Sequence, residues 1–160
     1  MDFDASLASG PHARLAELVG EWTGTATVWH EPKEPHSVDH MTLVAEPVAG
    51  GRAIRITTTV GLGPGQATGE LLVGYHLHDA QWQGAWVDSA HTGTQLIMLE
   101  GDGSDPEARP SMYGTWPAGE DRWGWQVSLL VDGPELLVAH DIVPPGRDPS
   151  RGIEWRCRRG

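Results

Sequence analysis

The sequence predicts an all-β fold, a single antiparallel barrel of about ten strands preceded by one short helix. Gly and Pro interrupt the chain after Gly20 at intervals of about 8 to 12 residues, and the runs between them are rich in Val, Ile, Thr and Trp. The connections are short enough to favour antiparallel neighbours, and about ten such strands close into a barrel because an open sheet leaves unpaired edges. The length of 160 residues suits one domain, residues 1–160.

The helix is predicted over residues 11–19. Pro11 is favoured at a first helical position, and Gly20 is typical of a helix end. Leu15, Leu18 and Val19 fall between them at helical spacing. The strands that follow are predicted, in chain order, at residues 21–30, 37–46, 51–60, 67–77, 81–89, 94–100, 110–116, 122–131, 135–143 and 152–158.

The alternation of side chains along a strand predicts which residues face the interior. In residues 122–131 the odd positions are large and apolar, as in Trp123 and Trp125, whereas Arg122 and Gln126 are even. The strands at 37–46 and 94–100 carry apolar residues on both faces, so alternation does not orient them. The same test turns a further set inward: Ile54, Ile56, Val60, Leu71, Val73, Tyr75, Leu77, Trp82, Trp86, Leu136, Val138, Ile142, Ile153 and Trp155.

Composition excludes several classes of partner. The chain has 11 basic and 22 acidic residues, a formal charge of −11 that repels nucleic acid and anionic membranes. No apolar run approaches the roughly 18 residues of a membrane-spanning helix, and the N-terminus lacks the layout of a secretory signal. Cys157 is the lone cysteine and has no partner for a disulfide. We therefore expect a soluble, cytoplasmic protein.

Several sequence blocks carry a family resemblance. The stretch from Leu15 to Gly24, which contains Gly20-Glu-Trp22, resembles the opening of calycin-type, lipocalin-like barrels, in which the helix and the tryptophan close one end. The later blocks Gly50-Gly51-Arg52, Gly69 to Gly74-Tyr75 and Trp86-Val87-Asp88-Ser89 with Gly93 resemble the bacterial domain-of-unknown-function family 1579. His76 stands where such families commonly have Asp. The resemblance implies a lipocalin-like barrel and no general activity.

The aromatic composition predicts a barrel interior rich in indole rings. The chain has eight Trp and one Phe, and most of the Trp fall on the inward parity. These rings either fill the barrel core or line a cavity for a small hydrophobic or aromatic molecule, and the sequence leaves both possibilities open. The candidate ligand-binding residues are Trp22, His30, Tyr75, Trp86, Trp123, Trp125 and Trp155.

Two inward residues are candidates for acid–base chemistry. Asp88 shares the parity of Trp86, and burial against indole rings is expected to raise its pKa; the alternative is a strand-end residue that accepts turn hydrogen bonds. His140 lies on an apolar strand face and is either a proton shuttle or metal ligand, or a hydrogen-bonded core residue. His76 and His78 form a possible zinc half-site, but we expect them to be exposed, so no metal site is predicted.

These residues leave four hypotheses. The first is a module that binds a small molecule, and the second is a pocket enzyme, an isomerase, cyclase or hydrolase, with Asp88 and His140 as its catalytic residues. The third is a haem barrel of the nitrobindin type in which His140 binds the iron; otherwise no cofactor is expected. The fourth is a filled barrel that acts as a dimerising scaffold, in which case the protein would be a homodimer. Whether the protein is an enzyme is left open by the sequence.

Overall fold

Ten antiparallel strands close into a barrel in a computed structural model that describes residues 1–30, 34–62, 65–105 and 108–160. Each strand pairs with its neighbours in the chain, and β1 pairs with β10 to close the barrel. This confirms the predicted fold class. The strands are β1 Gly20–Val28, β2 Ser37–Val48, β3 Ala53–Leu62, β4 Gly65–His76, β5 Gln81–Asp88, β6 Ile97–Asp102, β7 Ser111–Ala118, β8 Asp121–Asp132, β9 Glu135–Val143 and β10 Ser150–Arg159.

Two short helices precede the barrel, α1 Phe3–Ser9 and α2 Pro11–Glu17. The second is the predicted helix, and Pro11 occupies its first turn as expected. The sequence analysis missed α1, which begins where the Asp2 carboxylate accepts a hydrogen bond from the main-chain N–H of Ala5 at 2.9 Å. No helix among the described residues has the length and apolar character needed to cross a membrane.

The helices fill one end of the barrel, which we call the closed end. Leu15 and Leu18 at the end of α2 are buried, and they pack into the same core as Trp22 at the start of β1. The Arg159 guanidinium at the end of β10 lies 4.3 Å from the centre of the Trp22 ring and donates to the main-chain oxygen of Glu17 at 2.7 Å. These contacts fix α2 to the strands that close the barrel.

The opposite end, which we call the open end, carries the connections that follow β1, β3, β5, β7 and β9. These are residues 29–36, 63–64, 89–96, 119–120 and 144–149, of which 31–33 and 63–64 lie outside the described part of the chain. No described helix covers this end.

Burial follows the predicted alternation and also orients the two strands that the sequence could not. In β2, Met41, Leu43 and Ala45 point inward, whereas Val38 lies on the outer face and is 60% exposed. In β6 the inward residues alternate with Met98, which is 63% exposed. Apolar residues on the outer face are therefore what masked the pattern.

Candidate functional site

A cavity of about 340 Å³ lies inside the open end of the barrel. It is bounded by the parts of β1 to β5 and β10 near that end and by the connections after β1 and β5. Its apolar walls come from inward residues of the strands: Ala26, Val28, Val60, Ala67, Trp86, Ile153 and Trp155. Its polar side chains are fewer and come from the rim and from three strands: His30, His36, Ser37, Asp39, Thr58, Asp88 and His91 are the main ones.

Aromatic rings form the inner boundary of the cavity. Trp86 and Trp155 both line it, with their ring centres 5.5 Å apart. Behind them lies His140, whose ring centre is 4.5 Å from that of Trp155 and 5.1 Å from that of Trp86. Glycine at position 69 makes room for this arrangement, since a Cβ there would lie 2.6 Å from the Trp86 ring. The rings thus fill the middle of the barrel and leave the open end hollow.

His140 is fully buried and electrically neutral in this setting. Trp125 Nε1 donates a hydrogen bond to His140 Nδ1 at 3.1 Å, and an indole nitrogen can only donate, so the proton of the neutral imidazole is on Nε2. Burial lowers the pKa of His140 from its ordinary value of 6.5 to about 3, although the Asp88 carboxylate opposes that shift. Nε2 has no hydrogen-bond partner among the described residues.

The surroundings of His140 do not fit a haem ligand. A haem iron requires the lone pair of a ring nitrogen. His140 Nδ1 gives its lone pair to Trp125, and Nε2 carries the proton. His140 is also absent from the cavity surface, because Trp86 and Trp155 stand in front of it.

Asp88 ends β5 and is tied to the loop that follows it. Its Oδ1 accepts hydrogen bonds from the main-chain N–H groups of Ala90, His91 and Thr92, with nitrogen–oxygen distances of 3.0 Å to Ala90 and Thr92. Burial alone would raise the pKa of Asp88, but the hydrogen bonds from His91 and Thr92 outweigh it and hold the pKa below its ordinary value. Of the two alternatives left open by the sequence, Asp88 is therefore the strand-end residue that accepts turn hydrogen bonds, and the rise in pKa expected from burial does not occur.

The second oxygen of Asp88 orients a histidine at the cavity. His91 Nδ1 donates to Asp88 Oδ2 at 2.7 Å, and 36% of the His91 side chain is exposed. In the neutral imidazole this pairing leaves Nε2 as the free acceptor atom. Because His91 lines the cavity, the pair is placed beside any molecule that enters it.

Asp39 contributes a second carboxylate to the cavity wall. It lies on the inward face of β2, opposite Ala26 of β1. Its Oδ2 is buried and has no hydrogen-bond partner among the described residues. No described Lys or Arg side chain lines the cavity. The described lining of the cavity therefore carries two carboxylates, Asp39 and Asp88, and no Lys or Arg.

The residues predicted to bind ligand are distributed over both ends of the barrel. Trp86, Trp155 and His30 line the cavity, and the His30 ring stacks on that of His36 with 3.8 Å between centres. Trp22 and Tyr75 lie at the closed end, where Trp22 Nε1 donates to Leu18 O and Tyr75 OH to Gly103 O, both at 2.8 Å.

The other predicted residues do not reach the cavity surface. Trp125 lies behind His140, and Trp123 packs against Trp116 with ring centres 6.2 Å apart. His78 is 91% exposed. Among the described residues, no three His, Cys, Asp or Glu side chains are grouped so that they could hold a metal ion.

The sequence analysis did not name most polar residues of the cavity, among them His91 and Asp39. His91 lies in the loop after β5, where strand alternation gives no information. Asp39 lies on the strand that alternation could not orient. Its shared parity with Met41 and Leu43 was the available signal.

The fold and the cavity define a class of protein, a closed ten-stranded antiparallel barrel with one filled end and one hollow end. The chain belongs to the family described as protein of unknown function DUF1579, whose sequence model matches residues 8–159. The crystal structure of Rv2717c from M. tuberculosis is similar over 94% of this chain and 98% of that one, with a TM-score of 0.64 and 13% identity. At that identity the likeness concerns the fold alone. The comparison with curated proteins found no match.

Proposed function

We propose that this protein binds a small hydrophobic or aromatic molecule in the open-end cavity. The observation that carries the proposal is that the barrel interior is filled by aromatic rings only as far as Trp86 and Trp155, beyond which about 340 Å³ is left empty. This volume lies within the range of about 300 to 1,000 Å³ that is usual for small-molecule sites. Mostly apolar walls with a few fixed polar groups are also typical of such sites.

Tryptophan fluorescence tests the proposal directly. A bound molecule contacts Trp86 and Trp155 and should change their emission in a saturable way. Phenylbutanol is a suitable neutral probe because its phenyl ring can stack on an indole and its hydroxyl can reach a polar group. Native mass spectrometry of the protein as purified would reveal a natural ligand retained in the cavity.

A variant that fills the cavity provides the decisive comparison. Ala67 lines the cavity from β4, so Ala67→Phe should place a ring in the empty space and abolish probe binding. Leu72, on the outer face of the same strand, is 43% exposed, and Leu72→Phe should leave binding unchanged. Equal probe affinity in both variants would show that the probe binds elsewhere.

The Asp88–His91 pair favours a second candidate, a hydrolase that uses the same cavity. A carboxylate that holds imidazole Nδ1–H leaves Nε2 free to take a proton from water. The water oxygen would attack an ester carbonyl, the carbon–oxygen bond to the alcohol would break, and the proton would pass from Nε2 to the leaving alkoxide. His91, rather than His140, would be the catalytic base, and Asp88 would be the positioning residue.

A fluorogenic neutral ester, umbelliferyl butyrate, tests this candidate. In His91→Asn the amide nitrogen can still donate to Asp88, but the acceptor at Nε2 is lost, so turnover should fall by about 100-fold or more. His78→Asn, at a side chain that is 91% exposed and does not line the cavity, should retain turnover. The hydrolase candidate fails if wild-type protein and His91→Asn hydrolyse the ester at the same rate.

A further inference from the structure

Several polar groups of the open-end cavity are acceptors. Asp39 contributes a carboxylate to the lining, and His91 presents Nε2 as an acceptor in its neutral form. The Thr58 hydroxyl donates its proton to Gly69 O at 3.3 Å, so its oxygen is left to accept. A ligand that satisfies these atoms has to bring hydrogen-bond donors of its own.

The charge of the cavity also favours a ligand that carries hydrogen-bond donors. Asp39 and Asp88 both line it, and no described Lys or Arg side chain does. Asp88 is already satisfied by His91 and by main-chain N–H groups, whereas Asp39 is not. Asp39 is half-buried, and a carboxylate that is partly removed from water is stabilised by a cationic group placed beside it.

The aromatic walls suit a cation as well as an apolar ring. Trp86 and Trp155 both line the cavity, and an ammonium group is attracted to the face of an indole. A carboxylate ligand would instead face the electron-rich surface of the indoles and two carboxylates. No described Lys or Arg lines the cavity to pair with it.

From these three observations we infer that the natural ligand is an aromatic or apolar amine, whose ammonium group pairs with Asp39 while its apolar part packs on Trp86 and Trp155. This inference rests on the proposed binding function and names the chemical class of its ligand. We expect carboxylates, including fatty acids, to bind less well, because Asp39 and Asp88 both line the cavity.

Three probes that differ only in the terminal group test the inference: phenylbutylamine, phenylbutanol and phenylbutyrate. Their dissociation constants are measured by isothermal titration calorimetry above the ordinary pH range of histidine titration. We expect the amine to bind about tenfold tighter than the alcohol and the carboxylate to bind weakest, since a charge-assisted hydrogen bond is stronger than a neutral one.

Asp39→Asn then separates the carboxylate from the general negative charge of the protein. It should weaken amine binding about tenfold and leave alcohol binding within about twofold, which also reports that the cavity is intact. Glu46 lies on the outer face of the same strand, 2.8 Å from Arg55, so Glu46→Gln removes one negative charge without touching the cavity. This control should bind all three probes as the wild type does.

The outcomes distinguish the two proposals. Equal or tighter binding of phenylbutyrate, or an unchanged amine affinity in Asp39→Asn, would overturn the amine inference and leave the binding function standing. If none of the three probes binds the wild-type protein at millimolar concentration, the binding function fails, and the inference fails with it.

Discussion

The interior of the barrel is packed at the closed end and hollow at the open end. At the closed end, Trp22 and Tyr75 donate to main-chain oxygens of neighbouring segments. At the open end, Trp86 and Asp39 line a cavity of about 340 Å³. Side chains alternate between the inside and the outside of the barrel at both ends. Alternation therefore defines the interior, and the presence or absence of the N-terminal helices over an end determines whether that end is packed or hollow.

The largest expected effect is on the free energy of unfolding, and it tests whether the closed end is packed as a core. Trp22→Ala should lower the free energy of unfolding by about 3 to 5 kcal/mol, because a fully buried indole, its hydrogen bond to Leu18 and the Arg159 contact are all lost. Urea denaturation measures this loss. Trp123→Ala, a half-buried position elsewhere, should cost less. Similar costs for the two variants would show that the closed end is not packed as a core.

A pH dependence of stability is the next largest effect and comes from His140. Its folded pKa of about 3 lies below the ordinary 6.5, so the unfolded chain takes up the proton first as the pH falls. The stability contribution is complete above pH 6.5 and declines toward pH 3, by about 1.4 kcal/mol per pH unit. Burial lowers the pKa of His12 at the closed end too, which adds to the decline.

Urea unfolding between about pH 7 and pH 5, above most carboxylate titration, measures the slope. His140→Asn retains an acceptor for Trp125 but does not titrate, so the slope should become flatter whatever the absolute stability. An unchanged slope in this variant would show that other groups control the acid sensitivity.

The smallest expected effect concerns the boundary between the filled and hollow parts. In Gly69→Ala the new Cβ would lie 2.6 Å from Trp86 and 3.1 Å from Asp88 Cβ. Displacement of Trp86 should cost about 1 to 3 kcal/mol and weaken probe binding. Gly74 lies on the same strand with its nearest neighbour at 3.4 Å, and Gly74→Ala should leave both quantities nearly unchanged. Equal behaviour would mean that Trp86 does not fix the boundary.

The strands and the inward face were predictable from sequence because both follow from a period of two residues. Alternation states whether a side chain points in or out, but it does not state how far along the barrel it lies. Trp22 and Trp86 share an inward orientation and yet occur at opposite ends. The sequence therefore predicted the interior correctly without locating its empty part.

The site chemistry was harder to predict because it depends on a loop. Asp88 was recognised as a strand-end residue, but its partner His91 becomes a partner only through a turn in which the Asp88 carboxylate collects main-chain N–H groups. The helix α1 was missed for a similar reason, since it is seven residues long and has little sequence pattern beyond its Asp2 cap. The Asp88–His91 pair and helix α1 both depend on local hydrogen bonds, which leave no periodic pattern in the sequence.

The contacts of Arg159 join the two ends of the chain, which has a consequence for the order in which the strands can pair during folding. Arg159 and Glu17 are separated by 142 positions, and the seam of the barrel joins β1 to β10. During synthesis, β1 and the N-terminal helices emerge early but cannot complete their pairing until β10 has left the ribosome. Contacts this distant in sequence slow folding, and unpaired strand edges invite association with other chains. The edge of β1 that faces the seam therefore stays unpaired until β10 is available.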